Sequence, residues 1–83
     1  MSVAAAFSRS LPGNPAAVRE LDLVRLAVPV RSDAGQDVPA GAVGTVVGIW
    51  AGGSGFEVEF SEPFEALATV RPREIADHQP FHG

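Results

Sequence analysis

Apolar and polar residues alternate most strictly along Phe56-Glu57-Val58-Glu59-Phe60. A period of two sets the three apolar side chains on one face of a strand and both carboxylates on the other. The apolar face is expected to be core, and the other wet and anionic. Residues 21–28 alternate less strictly. Asp22, Val24, Leu26 and Val28 share one face there; Leu23, Arg25 and Ala27 share the other. Val24, Leu26 and Val28 are expected to point into the core. Pro29 lacks an N–H and ends ladder pairing at that point. Residues 31–37 read as a polar loop, closed by a turn at Pro39-Ala40-Gly41.

Residues 43–50 form a nearly continuous apolar run and predict the next strand. Gly44 and Gly48 interrupt it, which predicts bulges or sharp bends. The glycine-rich residues 51–55 predict a hairpin loop leading into Phe56–Phe60. A polar loop at 61–65 contains Pro63, and Ala66–Val70 predicts a short fourth strand. Arg71-Pro72-Arg73-Glu74-Ile75 predicts one tight helical turn with Pro72 at its first position. A last short strand or stub follows, with Ile75 plugging the end of the fold.

Five short strands with glycine-rich turns fit an all-β fold, a small five-stranded SH3-like barrel, closed or nearly closed. Closure hides strand edges that otherwise aggregate. The expected organisation is a flexible N-terminal arm at 1–19, the barrel at 20–76 and a C-terminal tail at 77–83. Pro12-Gly13-Asn14-Pro15 breaks regular structure in the arm, and a short helical turn is expected at 16–20.

Composition narrows the function classes. Eighty-three residues make one small domain with a thin core. Cysteine is absent, which excludes disulfides, thiolate catalysis and cysteine-ligated zinc. Small secreted domains usually need such staples, so a cytoplasmic location is expected. No signal peptide is read at the N-terminus. No apolar segment is long enough to span a bilayer, and no membrane role is expected. The net charge is −4, from ten carboxylates and six arginines, with no lysine. Nucleic-acid binders usually present a basic face, so nucleic acid is an unlooked-for partner. Arg25, Arg31, Arg71 and Arg73 would have to gather for such a face; pairing with the surplus carboxylates is the preferred expectation.

Candidate chemistry is sparse. Without cysteine, lysine or tyrosine, and with both histidines in the expected tail, no catalytic residue is assigned and no enzymatic activity is expected. No cofactor is expected. Asp77, His78 and His82 are close in sequence, but Pro80 breaks any helix that would align them, so no metal site is assigned. Gly41 and Gly44 suit turn and bulge geometry and lack the spacing of a phosphate loop. The residues assigned to partner binding are Trp50, Glu57, Glu59, Glu62 and Glu65. The glutamates form an acidic strand and loop suited to steering a basic partner. An exposed Trp50 is a natural interface anchor; a buried one caps the core.

Four blocks carry a family resemblance: Leu21-Asp22-Leu23-Val24-Arg25-Leu26, Val38-Pro39-Ala40-Gly41-Ala42-Val43-Gly44-Thr45-Val46-Val47, Phe56-Glu57-Val58-Glu59-Phe60 and Ala66-Leu67-Ala68-Thr69-Val70. Residues 20–75 resemble the small bacterial family of unknown function numbered 4926. Similar blocks occur in the KOW motif of translation factors and in the barrel of nitrile hydratase β-subunits. The resemblance implies an SH3-like fold and supplies no catalytic residue. It implies a stand-alone partner of another bacterial protein, encoded nearby. The chain departs from the family pattern in its N-terminal arm and at Trp50, where tyrosine or another polar-tipped residue is expected. The leading functional expectation is a non-enzymatic protein-binding module, antitoxin- or immunity-like or an accessory subunit. The alternatives are a KOW-like RNA- or ribosome-associated module and an accessory or maturation partner of a metalloenzyme such as a nitrile hydratase.

Overall fold

The computed structural model describes Leu11–Pro12 and residues 18–80. Most of the expected arm, the start of the helical turn at 16–20, and His82 lie outside the described residues. The described chain forms β1 (Leu11–Pro12), β2 (Leu23–Leu26), β3 (Val30–Arg31), β4 (Asp37–Val38), β5 (Val43–Ile49), β6 (Phe56–Phe60), β7 (Ala66–Val70) and β8 (Ile75–Gln79). Short 3-10 turns stand at Ala51–Gly53 and Pro72–Glu74. No α-helix occurs among the described residues.

The main sheet has the order β1-β8-β2-β5-β6-β7, and every pairing is antiparallel. The five longer strands correspond to the five expected. The fold is therefore all-β, as predicted, but the sheet is not closed, where a closed or nearly closed barrel was expected. β7 is its last strand, and the separate β3–β4 ribbon lies beside that edge. The Asp33 N–H donates to the Leu67 carbonyl there at 2.8 Å.

The core is built on β6. Phe56, Val58 and Phe60 are almost fully buried, as their alternation predicts, together with Val24, Leu26, Val38, Val46, Ala68 and Val70. Each of the larger side chains among them, valine, leucine or phenylalanine, contributes on the order of 1.5–3 kcal/mol when removed from water. Val28 does not join them and is 43% exposed. β2 ends at Leu26, and the Ala27 N–H then turns to the Glu74 carbonyl at 2.8 Å, so the alternation stops before Val28. The strand also begins later than expected. Leu21 has φ +73°, a left-handed conformation costly for leucine. Its N–H reaches the Val46 carbonyl at 2.7 Å.

β8 corrects the expected tail boundary at 77. Asp77 and His78 lie within the sheet and are buried, with Arg25 opposite Asp77 and Val24 opposite His78. Arg25 Nε donates to Asp77 Oδ1 at 2.9 Å, and Arg25 Nη2 donates to Asp77 Oδ2, forming a two-point clasp between β2 and β8. Hydrogen bonding to Asp77, and then its charge, raise the Arg25 pKa above its ordinary value. Among the described residues His78 Nδ1 is buried without a hydrogen-bond partner, 4.0 Å from Asp22 Oδ2. Asp22 Oδ2 accepts the Arg19 N–H at 2.9 Å.

Gly44 is a close-packing position. A Cβ there would stand 2.5 Å from Val58 Cγ1, 2.8 Å from Phe60 Cδ1 and 2.9 Å from the Glu59 carbonyl oxygen. At Gly48 the nearest atom would be Glu57 Cβ at 3.5 Å, an ordinary contact. Gly44→Ala is expected to cost about 1–3 kcal/mol in urea unfolding through overpacking, and Gly48→Ala less than half of that. Equal losses would refute close packing at Gly44. Arg25→Gln is expected to lower the unfolding midpoint clearly, because it strips a buried carboxylate of its partner. Arg31→Gln removes only an exposed pair with Asp37, 3.3 Å apart, and should change stability by no more than about 0.5 kcal/mol.

Candidate functional site

The outer face of β5, β6 and β7 carries Glu57 and Glu59, with Trp50 at the end of β5 and Glu62 and Glu65 in the β6–β7 loop, and a bulge in β5 shapes it. Val46 faces Val58 and Gly48 faces Glu57, so Val47 is an extra residue in β5. Two consecutive residues then oppose Glu57 on the outer side. Beyond the bulge, Ile49 pairs with Phe56, and the Trp50 N–H donates to the Gly55 carbonyl at 2.9 Å. Trp50 follows on the outward side and is 56% exposed, and Ile49, at the end of β5, is also exposed at 43%. Of the two readings of Trp50, the exposed one holds.

Gly55 forms the seat of this tryptophan. A Cβ at Gly55 would lie 3.2 Å from Trp50 Cδ1 and 3.7 Å from Thr69 Cγ2. Glycine lets the indole lie against the hairpin backbone while the ring remains open to solvent. The preceding turn reverses the chain through positive φ at Gly52 and Gly53.

Two cross-strand rows complete the face. Thr45, Glu59 and Leu67 are opposite one another across β5, β6 and β7; Gly48, Glu57 and Thr69 form the next row. Thr69 Oγ1 donates to Glu57 Oε1 at 2.9 Å. Leu67 and Val47 are both partly exposed, so apolar surface is interleaved with the carboxylates. Sequence reasoning did not assign Val47, Leu67, Thr69 or Arg71. The alternation of β7 carried the signal for Leu67 and Thr69, since Ala68 and Val70 are its buried positions.

An open cleft of about 290 Å³ lies at each end of the face. One is lined by Thr45, Glu59, Phe60, Ser61 and Glu65. The other is lined by Trp50, Ser54, Gly55, Thr69 and Arg71. Glu59 and Glu65 therefore meet at one cleft and Trp50 stands at the other, with Glu57 between. Glu62 is exposed in the β6–β7 loop, before a cis peptide bond to Pro63, and lines neither cleft. Arg25 and Arg31 do not join Arg71 in a basic patch; they pair with Asp77 and Asp37.

No group of three or more His, Asp or Glu side chains among the described residues is arranged to hold a metal ion. No helix of the described chain is long and apolar enough to cross a membrane. The family model for a domain of unknown function, DUF4926, matches residues 20–73. The chain belongs to the DUF4926 family. The matched span of this DUF4926 domain includes β2 to β7 and every residue of the acidic, tryptophan-bearing face. No curated protein and no solved structure matches the chain.

The seating of Trp50 has a spectroscopic consequence. Native fluorescence is expected to be long-wavelength and strongly quenched by acrylamide, changing little when the protein unfolds. A blue-shifted native spectrum protected from acrylamide would show the indole buried instead.

Proposed function

We propose that this chain is a non-enzymatic protein-binding module. It docks on a basic surface of another bacterial protein through the outer face of β5–β6–β7. The observation that supports this reading best is the exposed Trp50, seated on Gly55 on the same side as Glu57 and Glu59. A large, rigid aromatic beside charged neighbours is the composition of an interface hot spot. The surrounding carboxylates favour encounter with a cationic partner and disfavour other copies of this acidic chain. Binding would act by occluding or stabilising the partner, as an antitoxin, immunity protein or accessory subunit does.

We read the fold as SH3-like. The order β8-β2-β5-β6-β7, with the β3–β4 ribbon set against the β7 edge, supports that reading. A nucleic-acid role has less support, because Arg25 and Arg31 are engaged with carboxylates.

Light-scattering chromatography tests the proposal on the full chain, alone and co-expressed with the product of the adjacent gene. A hetero-complex of defined stoichiometry is expected, lost in Trp50→Ala and slower to form in Glu57→Lys/Glu59→Lys at low salt. A chain that ignores its neighbour, or a complex indifferent to all three substitutions, would overturn docking through this face.

A further inference from the structure

The two ends of the outer face make opposite electrostatic demands. At the Glu59 end the cleft is lined by two carboxylates and by the hydroxyls of Thr45 and Ser61. All four side chains accept hydrogen bonds, and the carboxylates only accept. A guanidinium presents five donors in a planar fork and matches such a lining. At the Trp50 end the cleft is lined by Trp50, Ser54, Gly55, Thr69 and Arg71, with no acidic residue in its lining. Two acids lie near it. Glu57 Oε1 is engaged by Thr69 Oγ1 at 2.9 Å, and Glu74 Oε1 accepts the Arg71 backbone N–H at 2.8 Å. Neither hydrogen bond cancels an acid's charge, since both donors are neutral, but neither acid lines the cleft. Arg71 is the charged residue of its lining, so an apolar side chain flanked by an acid finds a ring to cover and a cationic residue to pair with.

The separation is set by β6. From Gly55 to Glu59 the chain advances four residues, about 14 Å at a strand's rise per residue. An extended segment of about five residues bridges the two clefts. Between them lies the row of Gly48, Glu57 and Thr69, where the glycine leaves the surface low beside Val47.

We infer that the partner presents a dipolar segment to this face. An arginine lies over Glu59 and Glu65, and an apolar residue next to an acidic one lies over Trp50 and Arg71. The inference rests on the proposed docking function and adds the polarity of what docks. The acidic cleft selects the cation, and Arg71 rejects a second cation at the tryptophan. A uniformly basic segment is thus a poorer ligand than a dipolar one of lower net charge.

The test uses two synthetic peptides of identical composition, titrated into the isotope-labelled full chain and followed by amide and indole NMR shifts. The first is acetyl-Arg-Arg-Gly-Ser-Gly-Leu-Asp-amide. The second exchanges its first arginine with the aspartate. The dipolar peptide is expected to shift Glu59, Ser61 and Glu65 together with Gly55, Thr69, Arg71 and the Trp50 indole. It should bind at least about threefold more tightly than the exchanged peptide, the scale of one exposed charge pair. Arg71→Glu should abolish or reverse that preference while leaving the shifts at Glu59 and Glu65 in place. Equal affinity for both peptides, shifts confined to one end, or no shift on this face at millimolar peptide would each overturn the inference. Docking itself is decided separately by the co-expression experiment, so the polarity can fail while the interface stands.

Discussion

The apolar side of β6 is the constraint on which the rest of the structure depends. Phe56, Val58 and Phe60 fill the interior between β5 and β7, and Phe56 and Phe60 are the largest fully buried side chains. β5 approaches them closely at Gly44, where a methyl group would strike Val58 and Phe60. A domain this small has little further apolar surface to bury if that contact loosens. The outer face inherits its geometry from the same alternation. Glu57 and Glu59 point outward because their neighbours point inward, so core and candidate site are two readings of one strand.

Much of this was legible in the sequence. The alternation of residues 56–60 identified the core strand and its anionic side, and the glycines at 52, 53 and 55 marked the hairpin. Pro72 marked the tight turn before the last strand. β8 was harder to read because Ala76-Asp77-His78-Gln79 shows no apolar alternation. What holds it is pairing with β2 and the clasp between Arg25 and Asp77, distant in sequence. Closure was not legible either. It depends on whether the edge of β7 meets another long strand or the short β3–β4 ribbon, and no local pattern encodes that.

The electrostatic character of the outer face follows partly from events elsewhere. The clasp on Asp77 occupies Arg25, and Arg31 faces Asp37, so each is paired with an aspartate and not with the glutamates of β6. Arg71 stands at the far end, beside the tryptophan. A net charge of −4 says only that acids outnumber bases. Arg25 lies on the same side of the sheet but is held by Asp77, so the lining of the two clefts gives this side a direction, with carboxylates at one end and Arg71 at the other.

The bulge at Val47 makes the position of Trp50 a matter of counting. In an uninterrupted strand, residues 46, 48 and 50 share a side, and the indole would join Val46 in the core. One additional residue inverts that parity for everything downstream in the strand. The extra residue sets the side on which Trp50 leaves the strand, and Gly55 provides the room for the indole there. A single residue lost or gained between Val46 and Trp50 would change which side of the strand the indole leaves. Strand length between Val46 and Trp50 is thus as much a determinant of this face as the identity of residue 50.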